Sequence, residues 1–309
     1  TEILRLWGEL VCSDQVADKL KKIKPATIDR KLAHQKQVEL LARKYHKKKY
    51  PWLYTNIPIK TSSDFNRDLA GQEQIDLVEH CGNSSRGDFL STLSVTDVAF
   101  GWWEGEAIMG RSQRVSFTGL TGIRLRSPII WSEIHPDNDT TFINWHFYQY
   151  CQQEELDLSR SRPYKKNDNC FIEQKNSTHV RQVVGYGRYD TKEEQLILNG
   201  LYRNELRLYK NFFQPVMKLI SKIREKGRIH RKYDKYKTPY QRLLESNQIS
   251  EATKQELKAI YNNLNPAQLK RNIDKKLHLL YETYQNKNNM NTNILKVEPK
   301  FLTFKKLRP

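Results

Sequence analysis

The chain has 309 residues, 38% of them hydrophobic, and its 53 Lys and Arg against 35 Asp and Glu give a formal charge of +18. That length suggests two or three domains with at least one packed core, which excludes a wholly disordered chain. A basic excess spread along the whole chain points to a polyanionic partner, nucleic acid first, and the lack of an apolar run of eighteen residues excludes a membrane-spanning helix.

Residues 1–50 read as helical. Val16, Leu20 and Ile23 recur at helical spacing, and Pro25 opens a second helix through Leu32. Two short helices with a tight break suggest a helix-turn-helix-like DNA-binding region that would offer Thr27, Arg30 and Lys31 to the major groove. A basic, aromatic stretch, Arg43 to Trp52, leads into a linker over residues 51–65.

From residue 66 the pattern changes to short alternating elements. Gln74 to Cys81, Phe89 to Phe100 and Trp102 to Met109 read as three strands separated by glycine-rich turns. Gln113 to Leu125 reads as a helix weakened by Gly119 and Gly122, each costing about 1 kcal/mol against Ala. Pro128 to His135 is a fourth strand, Thr140 to Glu155 an apolar helix, and Leu156 to Ser161 a fifth strand. A last core helix starts after Asn167-Asp168-Asn169, whose short polar side chains can cap it. Leu196, Leu198, Leu201, Leu206, Leu208, Phe212 and Phe213 then give a helix an apolar stripe.

Residues 216–285 read as a basic helical region. Lys222 to Lys237, with Tyr233 and Tyr236 interleaved among its cations, is a candidate for DNA backbone contact, and residues 286–309 read as a disordered tail. Cys12, Cys81, Cys151 and Cys170 form no C-x-x-C pair, which fits a reducing cytosol and neither a zinc ribbon nor a disulfide framework. No charged-then-apolar leader is expected in the stretch beginning at Thr1.

Three acids stand at the ends of these elements. Asp76 lies in the first strand, Asp137 follows the fourth in Pro136-Asp137-Asn138, and Glu173 opens the last core helix, with thirty-five residues between the second and third. Breaking or joining a phosphodiester requires activating one oxygen and neutralising another, which two divalent ions about 3.5 to 4 Å apart can do. Such ions prefer carboxylate oxygen, so three carboxylates suffice if one bridges. Glu79, Asp97, Asp139 and Asp168 compete; Asp97 reads as a hairpin acid and Asp168 as a cap.

The set Asp76, Asp137, Glu173 resembles the D,D-35-E pattern of retroviral-type integrases and insertion-sequence transposases. Thr96 to Glu104 is similar to that family's second-to-third strand hairpin, and Arg162 to Asn169 to the basic loop before its last acid; Asp139 stands where the family often has Gly. The resemblance covers about half the chain, residues 66–215. It implies a ribonuclease H-like α/β fold, a mixed sheet flanked by helices, with helical regions before and after. It further implies two Mg²⁺ or Mn²⁺ ions held by Asp76, Asp137 and Glu173, cleavage of DNA 3′ ends, strand transfer to target DNA, and a homo-oligomer on paired ends. Lys165, Lys166, Lys175 and Arg181 are candidate DNA contacts beside the last acid. Many integrases carry a His-His-Cys-Cys zinc module, but no cysteine pair follows His34 and His46 at suitable spacing, so no structural zinc is expected. A hydrolytic ribonuclease H-like nuclease and an inactive DNA-binding relative remain alternatives.

Overall fold

The structure, a computed structural model, describes residues 12–28, 30–33, 51–163, 165–225 and 228–295, without the side chains of Lys166 and residues 290–295. It divides into two compact units, Thr1–Pro51 and Trp52–Pro309. In the first, α1 (Asp14–Lys21) follows the extended Ser13 and buries Ala17. Residues 25–28 and 30–33 are helical too, with Thr27 half-buried and Arg30 and Lys31 exposed. Val16, Leu20 and Ile23, expected to form an apolar stripe, are each more than a third exposed. The basic stretch from Arg43 to Tyr50 lies outside the described residues.

The second unit is built on a five-stranded sheet of β1 (Gln72–Glu79), β2 (Leu90–Asp97), β3 (Trp103–Met109), β4 (Glu133–His135) and β5 (Asp157–Leu158). Its order is β3-β2-β1-β4-β5. β1 and β2, like β2 and β3, pair antiparallel, whereas β1 with β4 and β4 with β5 run parallel. Three strands in meander followed by two crossover strands make the mixed sheet of a ribonuclease H-like fold. β4 is much shorter than the run from Pro128 suggested, because Ile129 and Trp131 are buried from an irregular segment.

Every residue of β2 is buried, because helices cover both faces of the sheet. On one face lies α3 (Gln113–Arg126), burying Leu120 and Ile123. Gly119 lets it approach: a Cβ there would sit 3.1 Å from Ile108 Cγ2 and 3.3 Å from Leu93 Cδ2. The glycine that weakens the helix in isolation is the one that permits its packing. α4 (Trp145–Gln153) is capped by Asn144, which accepts from Phe147 N–H at 3.0 Å.

On the other face lie α5 (Cys170–Lys175), which continues through a π-helical stretch (Asn176–Arg181), and the rod begun by α6 (Lys192–Gly200), which runs to Phe213. Val180, Val184, Leu198, Leu201 and Tyr202 form one core with Val78, Leu90 and Trp103 of the sheet. A capping box between Thr191 and Glu194 starts the rod.

Residues 51–65 are no free linker. α2 (Pro51–Asn56) buries Leu53 completely, and Ile57 and Phe65 follow it into the core.

The C-terminal region departs from its helical expectation. β6 (Leu219–Glu225) and β7 (Arg228–Tyr233) form an exposed antiparallel ribbon. Its charge count concealed the isoleucines at 220, 223 and 229, β-branched residues that favour a strand. Helices return with α7 (Pro239–Glu245), α8 (Glu251–Asn262) and the long α9 (Pro266–Leu295). Residues 286–295, expected as tail, extend α9 because Lys287 Nζ reaches Glu194 at 2.7 Å and Asp190 at 3.0 Å; residues 296–309 lie outside the described residues. No described helix is long and apolar enough to cross a membrane.

Candidate active site

β1 and β4 run side by side in the same direction, with Gln74 opposite His135. Two residues beyond this pair lie Asp76, mid-way along β1 where its pairing with β4 has ended, and Asp137, just past the carboxyl end of β4, so the register sets the two acids on neighbouring parallel strands. The turn after β4 is held firmly. Asp139 N–H donates to Asp137 Oδ1 at 2.9 Å, and Asn138 donates to the Ser161 carbonyl at 2.5 Å while accepting from Arg160 at 2.9 Å. Asp139 itself turns to the Thr141 amide and hydroxyl, at 2.7 and 2.6 Å.

Glu173 arrives on α5, and β1 grips that helix on either side of it. Gln74, buried and on the same strand face as Asp76, accepts the backbone N–H groups of Phe171 and Ile172, each at 3.1 Å, and donates to the Asp168 carbonyl at 3.1 Å. The strand thus supplies the cap; Asn169 makes no side-chain cap bond. One turn on, Asn176 Nδ2 donates to Asp76 Oδ2 at 2.7 Å.

The acids are also linked by charge. Burial first, then the charge of Asp137 and more weakly that of Glu173, lift the Asp76 carboxyl to about 7, against the pull of hydrogen bonds from Leu77 N–H and Asn176. Burial also raises Asp137, against the pull of the Asp139 N–H, with the Asp139 charge adding more weakly to the rise. Glu173 is half-buried. Among the described residues no three His, Cys, Asp or Glu side chains already form a metal cage. Asp76 therefore feels the charges of Asp137 and Glu173.

The donor set fits the divalent ion that the resemblance implies. It is hard oxygen throughout, and Asn176 Oδ1, buried with no hydrogen-bond partner among the described residues, adds an amide oxygen beside the carboxylates. A divalent cation would also offset the repulsion on Asp76.

The competing acids are engaged elsewhere. Asp97 accepts from Gly71 N–H at 2.8 Å and Phe100 N–H at 2.5 Å, as a hairpin acid does. Asp168 is no helix cap: it takes Arg162 Nε and Nη2, both at 2.8 Å. Glu79 pairs with Arg111.

Of the cations expected near Glu173, Lys165 is exposed on the preceding loop, and the side chain of Lys166 lies outside the described residues. Arg181 is half-buried, donating to the Glu79 carbonyl at 2.8 Å with its guanidinium over Tyr186. Lys175 is only 6% exposed, which corrects the expectation of a surface contact. Two residues past Glu173 is about 200° around a helix, so Lys175 faces inward. Gln74 and Asn176 were missed as site residues, although their spacing was a usable signal: one strand repeat before Asp76, and one helical turn after Glu173.

No family model matches the chain. A curated relative, the "Uncharacterized protein y4rM" of Sinorhizobium fredii, is 35% identical over 233 residues, 74% of this chain; the match spans 65% of that protein, just under two thirds. Among solved structures, the chain is similar at 12% identity to the catalytic core domain of BIV integrase, over 56% of this chain and 93% of that one, with a TM-score of 0.39. It is likewise similar at 12% identity to the HTLV-2 integrase catalytic core domain in complex with magnesium, over 49% and 93%, with a TM-score of 0.36. A third likeness, also at 12%, is to a simian T-cell lymphotropic virus intasome structure, over 52% and 55%, with a TM-score of 0.38.

Proposed function

We propose that the chain is a metal-dependent polynucleotidyl transferase of the integrase and transposase kind, which cuts the 3′ ends of a DNA element and joins them to target DNA. The observation that supports this most is the placement of Asp76 and Asp137 on neighbouring parallel strands, two residues beyond their pairing, with the charges of Asp137 and Glu173 both acting on Asp76. Two Mg²⁺ or Mn²⁺ ions held by these three acids would supply activation of the attacking oxygen and neutralisation of the leaving one. Asp76, oriented by Leu77 N–H at 2.8 Å and by Asn176, would be the ligand the two ions share. Gln74 fixes the start of the helix that carries Glu173. The +18 charge and the exposed Lys165 attract the phosphate backbone, and the chain works as a homo-oligomer on paired ends.

The test is a strand-transfer assay with Mn²⁺, using DNA duplexes from the flanks of the coding sequence and a plasmid target. Wild type is expected to nick and join; Asp76→Asn, Asp137→Asn and Glu173→Gln should each lose roughly 100-fold or more while retaining DNA binding. A fully active Glu173→Gln enzyme refutes the assignment. Nicking without joining of pre-cut ends identifies a hydrolytic nuclease instead.

A further inference from the structure

On the far side of α5 from Glu173 lies a cleft of about 310 Å³, lined by residues of α5, of the hairpin after β2 and of the base of the β6–β7 ribbon. Lys175 lines it, 6% exposed, beside Gly101, where an added Cβ would come within 3.6 Å of Lys175 Nζ. Among the described residues Lys175 Nζ has no hydrogen-bond or ion-pair partner, and the charged side chains that act on it, Lys210 and Arg242, are cations too. Arg242 is already paired with Asp234 at 2.7 Å, whereas the buried Lys175 ammonium has no such partner and is costly to keep, and an anion from outside would relieve it.

The cleft is built to receive one. Arg67 and Lys218 line it as well, and its acid, Asp97, is already held by two backbone amides. Phe171 and Tyr233 bring aromatic rings to the same walls, and Tyr233 is 46% exposed, leaving its ring free to take a planar partner. We propose that this cleft is a nucleotide site, in which Lys175, with Lys218 and Arg67 at its rim, holds a phosphate and Tyr233 stacks on the base. The choice of a nucleotide over another anion rests on the nucleic-acid reading above; the anion site itself does not.

The test is calorimetric titration of the full chain in EDTA with three probes: inorganic phosphate, thymidine 5′-monophosphate and a short oligothymidylate. Wild type should bind a nucleotide probe with a dissociation constant of about 1 mM or tighter. Lys175→Met, which keeps the apolar stem, should weaken it by about tenfold or more, the worth of one charged hydrogen bond. Lys218→Gln, at a half-buried position, is the second variant should Lys175→Met fail to fold, and should lose several-fold. Tyr233→Ala should weaken both nucleotide probes and leave phosphate unchanged. Equal affinity for the mononucleotide and the oligonucleotide assigns a free nucleotide, and tighter oligonucleotide binding assigns a DNA strand; both support the site. No binding by wild type, unchanged binding by folded Lys175→Met or Lys218→Gln, or phosphate bound as well as the nucleotides overturns it. With metal chelated, these outcomes are independent of whether the acids catalyse anything.

Discussion

One short helix separates two oppositely charged interiors. On one side of α5, Asp76 faces Asp137 and Glu173; on the other, Lys175 faces Lys210 and Arg242. Asp76 and Lys175 are each buried beside like charges, although Arg242 is itself paired with Asp234 at 2.7 Å. On β3 the same fold pairs its buried acids with arginines: Glu104 with Arg126 at 2.9 Å and Arg207 at 2.6 Å, and Glu106 with Arg126 at 3.0 Å. The contrast separates architecture from function. Paired charges hold β3 and its helices together, whereas Asp76 and Lys175, buried beside like charges, are the groups that the two proposals assign to ligands.

Asp76→Asn sharpens that contrast most. With metal chelated at pH 8, removing a carboxylate whose ionisation burial and its neighbours oppose should stabilise the fold by roughly 2 to 4 kcal/mol, read by denaturant unfolding, even as activity disappears. A destabilised variant would mean that Asp76 is a structural acid.

The two clusters should also have opposite pH signatures. A carboxyl lifted from 3.8 to about 7 binds its proton more tightly folded than unfolded, so its contribution is full below pH 4 and is lost as pH rises through 7. Burial, with the charges of Lys210 and Arg242, depresses Lys175 from 10.5 to about 7. Its contribution is therefore present above pH 10.5 and is lost as pH falls through 7. The stability difference between wild type and Asp76→Asn should change between pH 4 and 7, and that between wild type and Lys175→Met between pH 7 and 10.5. A common window for both would break the comparison.

Smaller effects follow from the supports. Gln74→Ala uncaps the N-terminus of α5 and should cost about 1 to 2 kcal/mol, and it should slow metal-dependent cleavage more than it weakens DNA binding. On the β6–β7 ribbon Lys222 sits directly opposite Arg231, a like-charge pair that disfavours the pairing. Replacing both by Thr should leave stability within about 0.5 kcal/mol. It should also lower the salt dependence of DNA binding by about two phosphate contacts, read as the slope of log affinity against log salt.

Much of the fold was legible because period, turn residues and element order agreed. Strands at alternating spacing gave the sheet, and Pro136-Asp137-Asn138 gave the turn that presents an acid. What stayed hidden depended on partners distant along the chain. The cap of α5 comes from Gln74, nearly a hundred residues away, so the local candidates Asp168 and Asn169 misled. Lys175 looked like a surface cation because a helical wheel shows direction and not what lies beneath. The ribbon was hidden by its own charge, since the eight cations from Lys222 to Lys237 drown the strand preference of a few isoleucines.

The most direct measurement of convergence is Mn²⁺ titration followed by calorimetry on wild type and on Glu173→Gln. Three acids forming one site predict saturable Mn²⁺ binding by wild type, substantially weakened by a change at Glu173, which is far from Asp76 and Asp137 along the chain. Mn²⁺ bound with the same affinity and stoichiometry by both proteins would contradict it.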